Sequence, residues 1–313
     1  MKQILVTGSM SFDVIMDFPS RFQEHLQPDK LHLLNVSFVV DKLERQFGGT
    51  ATNIAYNLGL VGCSGVKLLA SVGKDGQPIL DFLQSHQVDT SEVLIDTTMY
   101  SATGHVITDI DNNQIWGFYY GACSHAKHIR ISQNGTGTSV LVLSANHPDA
   151  FVSFQKQAIE NKLTYLYDPG MTLSWNTAEL LREGTLHAKW LVGNDYEISA
   201  MLSRTGLTED EVVNAGVSVI TTLGEHGLLY RDKSNKYVVP AYTLKKVIDP
   251  TGAGDAWRAG FLYGLQQGES VIDSLAYGNA LASFAVEKYG TVNHHPSRKE
   301  IEHRKNVIRK SSR

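Results

Sequence analysis

Between Val247 and Phe261 the chain reads VIDPTGAGDAWRAGF: two glycines, Gly252 and Gly254, flank Ala253 and are followed at once by a carboxylate, Asp255. Beyond that carboxylate, Trp257, Phe261, Leu262 and Leu265 fall at helical spacing, and the pattern ends near Gly268. The Gly-Ala-Gly turn therefore stands at a helix N-terminus, where backbone N–H groups lack intrahelical acceptors and suit an anion. A carboxylate on the same turn would repel a resting phosphate. It suits a different task, which is to hold a hydroxyl that attacks the phosphate. The competing assignment for Asp255 is an ordinary helix cap.

Two common phosphate loops do not account for this segment. No GxxxxGK[ST] loop occurs in the chain. A dinucleotide fingerprint needs three glycines after the first strand, whereas Trp257 stands at the third position here and the loop comes late. That argues against a dehydrogenase.

The elements that must position such a loop are legible as short apolar runs at 3–9, 66–73, 139–146, 163–170, 188–194 and 217–224. Amphipathic stretches such as AFVSFQKQAIENK separate several of them, as a parallel sheet covered by helices on both faces requires. The expected fold is a doubly wound, mainly parallel α/β domain spanning residues 1–313. In such a sheet ligands collect beyond the carboxyl ends of the strands. Those ends supply Gly8 and Ser9 leading to Asp13, then Asn146, Asp168, Asn194 with Glu197, and Thr222 with Gly224. Singly each polar residue reads equally well as a helix cap; together they outline a polar cleft.

Segments 14–47 and 93–122 break the rhythm with alternating runs such as NVSFVVDKL, YSATGHVITDI and NQIWGFYYG, the last two separated by a DNN turn. They are expected to be antiparallel strands outside the main sheet, forming a small β lid. Phe38, Trp116, Phe118, Tyr119 and Tyr120 lie on these segments, either facing a cleft or filling the lid's own core.

Composition narrows the remaining classes. In 313 residues, 42% are apolar and 19% charged, and the formal charge is −4, so neither nucleic acid nor an anionic membrane is an expected partner. The basic tail from Ser297 to Arg313 reads as a solvated helix face. Two cysteines, Cys63 and Cys123, form no scaffold or CxxC pair, no apolar run approaches a membrane span, and a cytoplasmic setting is expected.

The stretch DPTGAGDAWRAGF resembles the C-terminal signature of the PfkB, or ribokinase-like, carbohydrate and nucleoside kinases. An N-terminal counterpart, FGGTATNIAYNLGLVG (47–62), again leads glycines into a helix whose Ala51, Ile54, Ala55 and Leu58 share one face while Asn53 sits off it. Between them, VGNDYE (192–197) is similar to the family's NxxE element and TLGEHG (222–227) to its TxGxxG loop. The resemblance implies a ribokinase-like fold and an ATP-dependent kinase with Asp255 as catalytic base and Gly252, Ala253 and Gly254 as the phosphoryl anion hole. It further implies substrate contacts from Asp13, Gly48, Gly49 and Asn53, ATP contacts from Asn194, Thr222, Gly224 and Gly227, and Mg²⁺ held through water near Glu197. A monovalent cation is a further option. No residue matches the lid arginine that contacts phosphate in some relatives; Lys127 and Arg130 are the nearby candidates. The phrase VTGSMSFDVIMDFP and the lid aromatics resemble the adenosine kinase-like branch, so a nucleoside, with adenosine first, is the expected acceptor. A sugar of the ribokinase type is the alternative, and a non-catalytic ligand-binding relative a third. A monomer or a homodimer fits equally.

Overall fold

A computed structural model describes residues 3–26, 35–111, 113–131 and 139–313. In chain order the strands are β1 (Gln3–Thr7), β2 (Ser11–Asp17), β3 (Lys42–Gly48), β4 (Val66–Leu69), β5 (Ser71–Val72), β6 (Leu94–Ile95) and β7 (Ala102–Thr108). They continue as β8 (Gln114–Tyr119), β9 (Ser139–Leu143), β10 (Thr164–Tyr167), β11 (Trp190–Asn194), β12 (Ser218–Thr222), β13 (Leu228–Arg231) and β14 (Lys236–Val239). The helices are α1 (Phe22–His25), α2 (Thr50–Leu60), α3 (Gln77–Ser85), α4 (Pro148–Glu160), α5 (Ala178–His187), α6 (Asp195–Thr205), α7 (Glu209–Asn214), α8 (Ala253–Gln266), α9 (Val271–Ala285) and α10 (Arg298–Ser311).

All of the expected core runs contribute strands to one sheet of order β14-β13-β12-β11-β10-β9-β1-β4. It is parallel from β4 to β12, and β13 and β14 close one edge as an antiparallel hairpin. Successive strand residues point to opposite faces. Ile4, Val6, Val140 and Val142 join one apolar cluster with Phe261, Leu262 and Leu281 of α8 and α9, whereas Leu5, Leu141 and Leu143 join a second with Phe151, Phe154 and Leu181 of α4 and α5. Both sheet faces are thereby covered, which is why these strands carry no polar alternation.

The lid is a separate sheet of order β3-β2-β7-β8. Its make-up differs from the sequence expectation in three respects. β2 pairs with β3 and β7 with β8 in antiparallel fashion, but β2 and β7 pair in parallel. β2 and β7 are joined by a long crossover that includes α2 and α3, not by a hairpin turn, and such a connection permits a parallel ladder. Residues 35–40 are not a strand, and Phe38 packs against Phe18 and Phe22 at the lid's outer end. Residues 94–95 belong beside the main sheet, paired with β5.

The basic tail likewise does more than meet solvent. Ile301, Lys305 and Ile308 of α10 are buried, Arg304 stacks over the Phe284 ring, and Lys305 pairs with Glu269 at 3.0 Å. A long side chain buries its stem while its charge is paired. No helix among the described residues is long and apolar enough to cross a membrane.

Candidate active site

The lid and the main sheet meet at the start of α2. Gly49 caps this helix at φ +89°, a left-handed-side conformation that a side chain disfavours. A Cβ on its neighbour Gly48 would collide with the Asp13 carboxylate, so the two glycines let Asp13 of β2 lie against the turn. Burial pushes the Asp13 carboxyl up to about 6, opposed by the Ser11 hydroxyl. Asn53, which sits off the face shared by Ala51, Ile54, Ala55 and Leu58, is itself buried, because α2 is buried on all sides from Ala51 to Leu58. It can be buried because both ends of its amide are paired. Nδ2 donates to Asp255 Oδ2 at 2.8 Å, and Oδ1 accepts from Thr291 Oγ1 at 2.8 Å.

Gly252 caps α8 at φ +78°, and a Cβ there would stand 2.9 Å from that of Thr291. The first intrahelical bond runs from Ala256 N–H to Gly252 O at 2.9 Å, so the N–H groups of Gly254 and Asp255 lie ahead of it at the open end. The cap assignment for Asp255 does not describe what it does. Its carboxylate meets side chains, Asn53 and Arg258, instead of backbone N–H groups of its own turn. Burial pushes this carboxyl up to about 7, and the Asn53 hydrogen bond opposes that rise. The Arg258 guanidinium lies on the other side of the carboxylate, with NH1 3.4 Å from Oδ1.

Arg258 was not singled out from the sequence. It stands three residues beyond Asp255 and so on the same helix face, and it is the one charged side chain between Ala256 and Leu265. A lone charge in an otherwise apolar helix is the signal that could have found it. Its other branch pairs with Asp168 at the end of β10, and a Cβ on Gly254 would lie 2.8 Å from Arg258 NH1. A cation thus sits directly beside the glycine turn. Lys127 and Arg130 are engaged elsewhere: Lys127 pairs with Asp149 at 3.0 Å, and Arg130 donates to the Lys127 carbonyl.

Further along the strand ends, Asn194 and Thr222 are register partners on β11 and β12. Asn194 and Glu197 form a reciprocal capping box at the start of α6, each side chain accepting from the other's N–H at 2.8 Å. This leaves Glu197 one further carboxylate oxygen, and no group of three or more His, Cys, Asp or Glu among the described residues could hold a metal. The donor set does not fit a caged ion. It fits a Mg²⁺ that keeps its waters and is carried by phosphates.

Beyond Thr222 opens a cleft of about 440 Å³, lined by Gly224, Tyr242, Val247, Ala253, Asn279 and Val286, among others. Its floor thus begins at the first residue of α8, next to the glycine turn. Gly227 lies behind it, at φ +90°, where a Cβ would strike the backbone at Val239 and Ala241. Most of this lining comes from α9 and the loop before α8, of which only Val247 and Pro250 lie within a sequence motif.

On the opposite side, lid aromatics form a wall that starts at Asp13. A Cβ on Gly104 of β7 would stand 3.0 Å from Asp13 Oδ1, 3.1 Å from the Trp116 ring and 3.6 Å from the Phe118 ring. Phe118 meets Tyr120 with ring centroids 5.1 Å apart, and Tyr120 meets Trp175 at 5.7 Å and His147 at 5.2 Å. Trp116 and Trp175 are each 51% exposed and Phe118 is 37% exposed. Trp116 and Phe118 are thus exposed beside Asp13, whereas Phe38 packs within the lid's own aromatic cluster.

A doubly wound sheet, a buried aspartate behind a glycine turn at a helix N-terminus, and a cleft opening from that turn define a phosphotransferase of the ribokinase-like fold. The chain belongs to the pfkB family of carbohydrate kinases, whose model matches residues 1–298. It is an ATP-dependent enzyme that phosphorylates a hydroxyl group. Among its relatives is the nucleoside kinase of Methanocaldococcus jannaschii, 28% identical over 299 residues that cover 95% of this chain and 94% of that one. The solved structure of that archaeal nucleoside kinase superposes with a TM-score of 0.88 at 27% identity, covering 98% of this chain and 99% of that one. The Burkholderia thailandensis nucleoside kinase in complex with inosine gives a TM-score of 0.84 at 30% identity, covering 97% of each chain.

Proposed function

We propose that this kinase phosphorylates the primary hydroxyl of a purine nucleoside, with adenosine the preferred acceptor. The observation that carries the choice of a nucleoside is the exposed aromatic wall beginning at Asp13. A free sugar has no π-face to set against Trp116 and Phe118, whereas a base does. Asp13, with Gly48, Gly49 and Asn53 around it, is suited to accept hydrogen bonds from the ribose hydroxyls. A relative 30% identical was solved with inosine, a purine nucleoside, which supports a purine nucleoside as acceptor.

In this reading Asp255 accepts the proton of the primary hydroxyl as its oxygen bonds to the γ-phosphorus and the bond to the departing ADP oxygen breaks. Backbone N–H groups at the Gly252-Ala253-Gly254 turn stabilise the charge on the transferred group, which is most of what phosphoryl transfer asks of a protein. The cleft lined by Gly224, Tyr242 and Asn279 suits the adenine of ATP, and Thr222, two residues before Gly224 along the chain, would meet the phosphates with its register partner Asn194. Mg²⁺, when bound, offsets phosphate charge, and Glu197 with Asn194 would hold its waters.

Incubating the protein with Mg·ATP and a panel of nucleosides and sugars while measuring ADP release tests the assignment. Adenosine and related purine nucleosides are expected to be turned over with the highest kcat/KM. Turnover of ribose or other free sugars alone would overturn the nucleoside acceptor.

A further inference from the structure

The proposed reaction gives no task to the buried pair formed by Arg258 and Asp168. Arg258 lies one helical turn beyond Asp255, pairs with Asp168 through one branch, and points NH1 at Asp255 Oδ1 from 3.4 Å. Arg258 Nε and Asp168 Oδ1 are both buried without a partner among the described residues. A pair present only to brace the fold would be expected to satisfy such atoms, because an orphaned buried polar group is costly. Buried ion pairs also contribute little compared with apolar side chains of the same shape. What the arrangement does achieve is to seat a guanidinium between Gly254 and the Asp255 carboxylate. With Asn53 on Oδ2 and Arg258 facing Oδ1, the plane of that carboxylate is set from both sides, and each oxygen keeps a lone pair for a hydroxyl.

We propose that Arg258, anchored by Asp168, is a positioning residue that holds Asp255 in its ionised, proton-accepting form and fixes its orientation toward the acceptor hydroxyl. This rests on the reading of Asp255 as the base. Deep burial alone would favour the neutral acid, which cannot take a proton; a guanidinium within a few ångströms opposes that. The other titratable groups around Arg258 and Asn53 are Asp168, just past the end of β10, Asp13, against Gly48 at the start of α2, Asp249, which accepts from Gly290 N–H next to Thr291, and His294, which meets Asn57 one turn beyond Asn53. Arg258 is the only cation recorded in contact with Asp255 among the described residues.

The test compares the pH profile of kcat in Arg258→Met, Arg258→Lys and Asp168→Asn with the wild type, together with a ¹³C titration of the Asp255 carboxyl assigned by its absence in Asp255→Asn. In Arg258→Met the acid limb of kcat and the Asp255 midpoint are expected to rise by about one pH unit or more. Arg258→Lys should stay near the wild type. In Asp168→Asn the amide oxygen still accepts from Arg258 and keeps it in place, but the competing negative charge is gone, so the midpoint should fall. A structural brace would lower activity at every pH and leave the limb in place, so an unmoved limb in Arg258→Met overturns the proposal. Should that variant fail to fold, an unchanged or raised midpoint in Asp168→Asn does so instead. A wild type that phosphorylates none of the nucleosides or sugars would remove the functional reading, and the carboxyl titration would still decide the role of Arg258.

Discussion

At the scale of single residues the decisive feature is that Asp255 is buried and yet held by side chains alone. Asp255→Asn keeps the shape and can still meet Asn53, but it cannot accept a proton. A positioned general base contributes roughly 10²–10⁴ in rate, so kcat is expected to fall by about that factor, with acceptor and ATP affinities nearly unchanged by calorimetry. Because its carboxyl is pushed up to about 7, the wild-type kcat should itself decline as pH falls below neutrality, the protonated form being unable to act. Asp13 carries the corresponding test of the acceptor. Loss of the 2′-hydroxyl would leave part of a desolvated carboxylate unpaired, at a cost of about 1–3 kcal/mol. 2′-Deoxyadenosine should then have a kcat/KM roughly ten- to a hundredfold below adenosine. In Asp13→Ala that ratio should shrink, and steady-state kinetics on both nucleosides with both proteins check it.

At the scale of elements, the lid and the α8 turn make different demands. Removing the Trp116 or Phe118 ring deletes a face of the wall without touching the main sheet. Base–aromatic stacking is worth about 1–3 kcal/mol, so either alanine variant should raise the nucleoside KM roughly ten- to a hundredfold while the KM for ATP holds. Gly252 is under tighter constraint than a loop glycine that merely lets phosphate approach. Its φ of +78° disfavours any side chain, by about 1–2 kcal/mol, and a Cβ would press on Thr291, which holds Asn53. Gly252→Val is therefore expected to cripple phosphoryl transfer and also to lower the melting temperature. The folded fraction, isolated at low temperature, should still be deficient in kcat; full activity in that fraction would show that the turn has no direct part.

At the scale of the whole molecule, burial of titratable groups ties stability to pH in opposing senses. Asp255 and Asp13 have folded-state values raised to about 7 and about 6, so the stability they contribute is present below about 4 and is lost as pH rises toward neutrality. His294 is buried and neutral, its value lowered to about 4, so its contribution is present above about 6.5 and is lost as pH falls. Over pH 4–7 the two effects oppose each other. In Asp255→Asn one of the raised carboxyls is gone, and denaturant unfolding should show stability falling more steeply on acidification than in the wild type. A parallel pH dependence in the two proteins would contradict the buried-charge account.

How much of this was legible in the chain follows from which signals are local. Apolar runs at 3–9 and 139–146, turn glycines at 48–49 and 252–254, and the carboxylate at 255 are properties of contiguous residues, so the parallel sheet, the helix-terminal anion turn and the resemblance to a kinase family could be read directly. The Asn194–Glu197 capping box is likewise a four-residue pattern. Other features depend on residues far apart in the chain. Asn53 reaches Asp255 across 202 positions, and Thr291 reaches Asn53 across 238. Periodicity placed Asn53 off the apolar face because no local rule foretells that a second helix and a distant loop will bury and pair it. The parallel β2–β7 ladder, the packing of Phe38 against Phe18, the α9 lining of the nucleotide-sized cleft and the Arg258–Asp168 pair were decided by tertiary structure for the same reason. Local sequence determines which backbone N–H groups and carboxylates are on offer, whereas the partners that set their charge and direction come from wherever the fold closes around them.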